Sequence, residues 1–197
     1  MMDFEALLHL VKSNRSTRRF QQAESVSQQD LVELVKLARF SPSSANRQPL
    51  RFGLVNQPER NSQVFSTLGW AGYLSSWDGP RDGERPAAYI LILGDRERAE
   101  NVQFDAGIAA QTILLGAAAK GLGGCILGSV QRPALQEILD LDDRYRIVLV
   151  LALGVPGEEI VVEEMGDDGD VRYWRDDQGV HHVPKRSLSD LILELPG

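Results

Sequence analysis

Apolar residues recur at helical spacing from the start of the chain, where Phe4, Leu7, Leu8, Leu10 and Val11 predict a helix ending near Ser13-Asn14. Ser27-Gln28-Gln29-Asp30 resembles a capping box ahead of Leu31, Leu34, Val35 and Ala38, and opens a second predicted helix that runs towards Phe40. Arg51–Asn56 reads as a strand and Glu59–Thr67 as a helix, and Ala87–Leu93 is a continuous apolar strand. A long alanine-rich helix follows from about Val102 to Lys120, stopped by Gly121, Gly123 and Gly124. Cys125-Ile126-Leu127 then reads as a short buried strand, Pro133–Leu139 as a helix, and Arg146–Leu153 as an apolar strand closed by Gly154-Val155-Pro156. Near the end, Val171–Trp174 and Val180–Val183 flank a turn-forming Arg175–Gly179, which predicts a hairpin, and Ser187–Leu195 predicts a short closing helix. Alternating strands and helices imply a layered α+β or α/β domain on a mixed sheet. No repeat, low-complexity tract or linker interrupts it, so residues 1–197 read as a single domain.

Two stretches break the pattern. Gly69–Pro86, rich in Gly, Pro, Trp and Asp, reads as a long ordered loop or lid. Its Trp70, Tyr73 and Trp77 read first as anchors of that loop, with a substrate platform as the alternative. The other is Ser41–Phe52. Pro42 bars the α conformation at Ser41, and Pro49 removes a backbone donor before the next strand. Between them, Ser, Asn and Gln side chains can both donate and accept. Such a loop suits a planar heterocycle ringed with carbonyls and nitrogens; an ordinary Asx/Ser turn is the alternative.

Composition narrows the partners. The 197 residues are 43% hydrophobic and 25% charged, as in an average globular domain. A net charge of −7 argues against nucleic acid or an anionic membrane as partner. No apolar run approaches the roughly 20 residues that span a bilayer. The first residues lack the pattern of a signal peptide. The single cysteine, Cys125, excludes an intrachain disulfide, fits a cytoplasmic location and reads as a buried structural thiol.

The positive charge is gathered locally. Arg15-Ser16-Thr17-Arg18-Arg19 and Lys185-Arg186-Ser187 combine guanidinium, ammonium and hydroxyl groups suited to a phosphate, although each alone also reads as solvated surface. Gly128-Ser129, after a buried strand, can bring bare N–H groups against a ligand. His181 and His182 point to opposite faces of a strand and His9 lies alone in a helix, so no metal site is expected. There is no G-x-S-x-G elbow, no G-x-G-x-x-G fingerprint and no Walker lysine.

Taken in order, Arg15-Ser16-x-Arg18-x-Phe20, Ser41-Pro42-Ser43-Ser44-x-Asn46-x-Gln48-Pro49, Gly121-Leu122-Gly123, Leu153-Gly154-x-Pro156 and Lys185-Arg186 resemble the nitroreductase family of flavin enzymes. The resemblance runs from about residue 10 to 190. It implies an α+β fold with a mixed, mainly antiparallel sheet flanked by helices, in a homodimer with FMN at the subunit interface. It further implies that Ser16, Lys185 and Arg186 hold the phosphate with Arg15 close by, and that Arg18 lies near the pyrimidine edge. Ser43, Ser44, Asn46 and Gln48 would contact the ring or ribityl chain, and the backbone at Gly128-Ser129 would face N5. The implied activity is a ping-pong transfer of hydride from NADH or NADPH to a nitroaromatic, quinone or similar acceptor. A non-catalytic flavin sensor, or a specialised reaction such as flavin destruction or dehalogenation, is the alternative. Two departures stand out: Asn14 occupies a position that is often basic in the family, and the chain is short.

Overall fold

The computed structural model describes residues 3–195. They form two compact units: one runs through Trp70 and resumes over Gly79–Gly157, and the other comprises Ala71–Asp78 and the chain from Glu158 onwards.

Local chemistry sets the helices of the first unit. Helix α1 (Phe4–Ser13) begins where the Asp3 carboxylate accepts the Ala6 N–H at 2.7 Å. Helix α2 (Gln28–Ala38) begins at Ser27, whose hydroxyl accepts the Asp30 N–H at 3.0 Å and donates to the Asp30 carboxylate at 2.5 Å. Pro58 opens α3 (Pro58–Phe65), where its missing N–H costs nothing. Helix α4 (Gln103–Ala119) buries Ala106, Ala109, Ala110, Ile113, Leu114 and Ala117, and α5 (Arg132–Ile138) buries Leu135.

Four strands make the sheet: β1 (Leu50–Val55), β2 (Ala88–Asp95), β3 (Gly123–Leu127) and β4 (Tyr145–Gly154). Their order is β1-β2-β4-β3 and every neighbouring pair is antiparallel. Alternate residues of β2 and β4 feed two cores. Ile90, Ile92, Leu151 and Leu153 face Leu31 and Leu34 of α2 and Ala110 and Ile113 of α4. Tyr89, Leu91, Val150 and Ala152 join Val64 of α3, Leu135 of α5 and the strand β3 residues Cys125 and Leu127. That double cover explains why the apolar run in β2 shows no alternation. Beyond its last apolar residue, the buried Asp95 carboxylate receives Arg144 in a two-pronged contact at 2.9 and 2.7 Å.

The glycines after α4 divide their work. Gly121, at φ +75°, turns the chain out of the helix, and the Leu122 N–H caps the Ala117 carbonyl at 2.9 Å. Gly123 and Gly124 belong to β3. A Cβ on Gly124 would sit 2.8 Å from the Ala152 carbonyl oxygen, and one on Gly123 would sit 2.9 Å from Thr17 Cβ. They are glycines because neighbours approach too closely for a side chain.

The second unit holds a smaller sheet of order β5-β7-β6, from β5 (Ile160–Glu164), β6 (Trp174–Arg175) and β7 (His181–Lys185). β6 and β7 form the expected hairpin, shorter than its flanking apolar residues suggest, and β5 lies parallel to β7. Helix α6 covers only Leu188–Leu191, not the whole of Ser187–Leu195. Ser187 caps it, but Leu191, Ile192, Leu193 and Leu195 are exposed, so no packing prolongs the helix. Arg175 pairs with the buried Glu158 at 2.7 Å and lies 4.3 Å over the Trp77 ring, while Tyr73 meets Tyr173 at 5.1 Å. Residues 69–87 contain no helix and no strand, as expected. Tyr73 and Trp77 anchor their part of the loop within the second unit.

Candidate functional site

Past α1 the chain becomes a strap, held at one end by β3 and at the other by the segment that follows β4. Ser16 bridges Gly124, the Thr17 N–H donates to the Gly124 carbonyl at 2.9 Å, and Phe20 bridges Pro156. Thr17 and Phe20 are buried anchors; Ser16 stays exposed. The Arg15 guanidinium turns back to donate to the Val11 carbonyl at 2.9 Å, where a cation also suits the helix C-terminus. Its Nε is buried with no hydrogen-bond partner among the described residues, and burial holds its pKa below the usual guanidinium value. Arg18 donates to the Ser16 carbonyl at 3.2 Å.

The Ser41–Pro49 loop is more strained than a polar turn requires. Ala45 (φ 49°), Asn46 (φ 51°) and Gln48 (φ 49°) all adopt left-handed backbone. For residues with a Cβ this costs roughly 1–2 kcal/mol each, somewhat less for Asn. A buried carboxylate offsets it. Asp105, in the first turn of α4, accepts the Ser43 hydroxyl at 2.5 Å and the Ser44 N–H at 3.2 Å. The same Ser43 oxygen accepts the Gln48 N–H at 2.9 Å. Ser43 is therefore spent on holding the loop. The Gln48 amide donates to Asn46 Oδ1 at 3.1 Å, which leaves Gln48 Oε1 and Asn46 Nδ2 to solvent or a ligand. Beneath the loop, between α2, β1 and α4, lies a cavity of about 300 Å³.

Gly128-Ser129 follows β3. The Ser129 carbonyl accepts the Gly69 N–H at 2.9 Å, and the Gly128 carbonyl accepts Arg132 Nη2 at 3.1 Å. Arg132 also caps the Ile147 and Val148 carbonyls at 2.9 and 3.1 Å, where β4 runs beyond the reach of β3. In a trans peptide C=O and N–H point oppositely, so this grip turns the Ser129 N–H away from Arg132. Gly128 has no left-handed φ, and a Cβ there would meet open space. Nothing among the described residues demands glycine at that position.

Lys185 ends β7 and Arg186 precedes α6; both are exposed and belong to the second unit. The structure thus brings Arg15, Ser16 and Arg18 together, and separately Ser43, Ser44, Asn46 and Gln48. Asp105 and Arg132 were not singled out from sequence, since each acts on residues distant in the chain or on backbone.

One titratable group in the second unit has a definite pH signature. His182 stacks on Trp174 at 4.1 Å, with Nδ1 3.1 Å from Glu163 and Nε2 3.4 Å from Asp176. Burial works against its charge, but the two carboxylates outweigh it and raise its pKa above the ordinary value. A raised folded-state pKa gives stability that is complete below the unfolded value of about 6.5 and is lost as pH rises through the folded value. A tryptophan-fluorescence melt should therefore shift to lower temperature on going from about pH 6 to pH 9, and His182→Gln should flatten that dependence.

A layered α+β protein with an antiparallel sheet, a strained amide-bearing loop and an arginine-rich strap is the class that fold and site define. The chain belongs to the nitroreductase family, whose profile matches residues 11–155. It is 22% identical over 193 residues to YdgI of Bacillus subtilis (strain 168), provisionally named an NAD(P)H nitroreductase, covering 81% of this chain and 92% of that protein. It is 25% identical over 167 residues to the iodotyrosine deiodinase of Thermotoga neapolitana, covering 77% and 89%. In fold it is similar to the FMN-dependent nitroreductase of Clostridium difficile R20291, with a TM-score of 0.64 over 82% of this chain and 92% of that one at 22% identity. A nitroreductase family protein of Streptococcus pneumoniae TIGR4 gives 0.66 over 82% and 96% at 19% identity. Among the described residues no helix is long and apolar enough to cross a membrane.

Proposed function

We propose that this chain is an FMN-dependent oxidoreductase, using NADH or NADPH as donor and a small nitroaromatic, quinone or similar molecule as acceptor. The observation that carries the reading is the Ser43–Gln48 loop, held in left-handed backbone by the buried Asp105 and presenting side-chain amides outward. Strain of this kind persists where the surroundings enforce it, and commonly at ligand sites. Open space at Gly128 and the unpartnered buried Nε of Arg15 fit the same ligand.

Within this reading Ser16, Lys185 and Arg186 hold the phosphate dianion, with Arg15 adding charge. Arg18 sits at the pyrimidine edge, where a cation favours the reduced, anionic ring. Ser44, Asn46 and Gln48 fix the ring and ribityl chain, and Ser43 fixes the loop. The Ser129 N–H, whose peptide Arg132 grips through the Gly128 carbonyl, would face N5. Bound FMN would supply the chemistry, accepting a hydride from the nicotinamide and passing electrons to the acceptor in a ping-pong cycle. The protein positions, tunes and shields.

The reading includes a cytoplasmic homodimer. Phe4, Leu7 and Val11 on α1 and Phe104 and Ile108 on α4 are exposed apolar side chains on adjacent helices, a face that a second copy would cover. The likeness to a deiodinase keeps reductive dehalogenation as a second reading.

Purified protein should be yellow or take up added FMN, bleach with NADH or NADPH without oxygen, and recover its colour over many cycles with a quinone or nitroaromatic. A colourless protein that binds no FMN overturns the proposal. Bound flavin without turnover would make it a sensor, and selective iodide release from iodotyrosine would favour dehalogenation.

A further inference from the structure

We infer that Arg132 is a latch that fixes which way the Gly128–Ser129 peptide faces, and that through this peptide it sets the balance between oxidised and reduced flavin. The consequence for flavin rests on the FMN reading above; the latch rests on bonds within the first unit.

The peptide is held from one side. Arg132 Nη2 donates to the Gly128 carbonyl at 3.1 Å, and the Ser129 N–H has no hydrogen bond among the described residues. Arg132 does not need Gly128 to stay in place, since its Nε and Nη2 also hold the Ile147 and Val148 carbonyls at 2.9 and 3.1 Å. Nor does it serve α5, which it opens: a cation in the first turn opposes the helix dipole. Just beyond the peptide the chain is anchored, by the Gly69 N–H on the Ser129 carbonyl at 2.9 Å and by the bridge between Leu68 and Val130. Rotation is therefore left to Gly128. Its φ is not left-handed and a Cβ there would meet open space, so the conformation seen does not require glycine. A turned-over peptide would, because it draws on backbone angles that glycine alone adopts freely.

The two edges of the peptide suit the two states of the ring. A planar trans peptide shows its N–H on one side and its C=O on the other. Oxidised flavin has a bare N5 that accepts a hydrogen bond. Once the nicotinamide has given up its hydride and left oxidised, N5 carries that hydrogen and donates. A carbonyl then matches N5 and an N–H does not. With Arg132 on the carbonyl, the protein presents the N–H in both states. The reduced ring is left without a matched partner at N5 and is the readier to pass its electrons on.

The test compares the wild-type chain with Arg132→Met and Arg132→Lys. It reads the two-electron potential of bound flavin, and NMR relaxation dispersion at the Ser129 amide of the full chain before FMN is added. Arg132→Met should favour reduced over oxidised FMN about tenfold more than the wild type does, a rise of about 30 mV. Loss of a positive charge alone would lower the potential, so the sign separates latch from charge. Arg132→Lys keeps the charge but not the planar fork, and should move the potential the same way by less. Microsecond-to-millisecond exchange at Ser129 should appear in Arg132→Met. Both that exchange and the rise in potential should vanish in Arg132→Met/Gly128→Ala, where the added methyl fits the observed backbone but resists the turned-over one. An unchanged or lowered potential, a rise that survives Gly128→Ala, or a Ser129 amide without exchange in Arg132→Met would each overturn the inference. A wild-type chain that takes up no FMN overturns the flavin reading instead, and the amide measurement then decides the latch by itself.

Discussion

Asp105→Ala is expected to raise the Kd for FMN by about 10- to 100-fold and to lower stability by about 2–3 kcal/mol, the value of two hydrogen bonds to a charged group less the relief of unburying it. The carboxylate holds the Ser43 hydroxyl and the Ser44 N–H, and through Ser43 the Gln48 N–H. Without it the left-handed residues at 45, 46 and 48 lose the contacts that enforce them, and the loop relaxes to unstrained turns. Ordering it again around the ring would then be charged against binding. Asp105→Asn should fall between, because it keeps one acceptor. Thermal melts and flavin-fluorescence titrations separate the two effects. If stability falls while FMN affinity holds, the loop is scaffold and not cradle; if neither moves, Asp105 is no anchor.

What the sequence made legible follows from where the information lies. The α2 and α4 boundaries rest on local signals, the Ser27 cap and the glycine after the helix, and both emerge within about two residues of expectation. β2 and β4 announce themselves by uninterrupted apolar runs, since both faces are covered. β5 carries no such mark. Its three apolar residues stand between glutamates, are largely exposed, and pair in parallel with a strand some twenty residues on. The site divides the same way. Residue types in the Ser43–Gln48 loop were readable, but not that Ser43 is consumed by an aspartate 62 positions away. Arg132 drew no reading from sequence, because its partners are backbone carbonyls that no side-chain pattern reveals.

Removing both charges in Lys185→Ala/Arg186→Ala should raise the Kd for FMN by about 100-fold and leave the affinity for riboflavin within about twofold. Each charge-assisted bond to a phosphate is worth about 1.5–3 kcal/mol, and the exposure of both side chains places them near the low end, about 3 kcal/mol together. Riboflavin lacks the phosphate and supplies the internal control. The dependence of FMN affinity on salt should also flatten, since screened charge is what has been removed. With the phosphate placed as proposed, Asn14 adds no charge beside it, and either single substitution should cost about tenfold. Equal weakening of both flavins would mean that the change disturbed the ring site or the fold. No weakening of FMN would move the phosphate elsewhere, with Arg15 and its unpartnered Nε the next group to test.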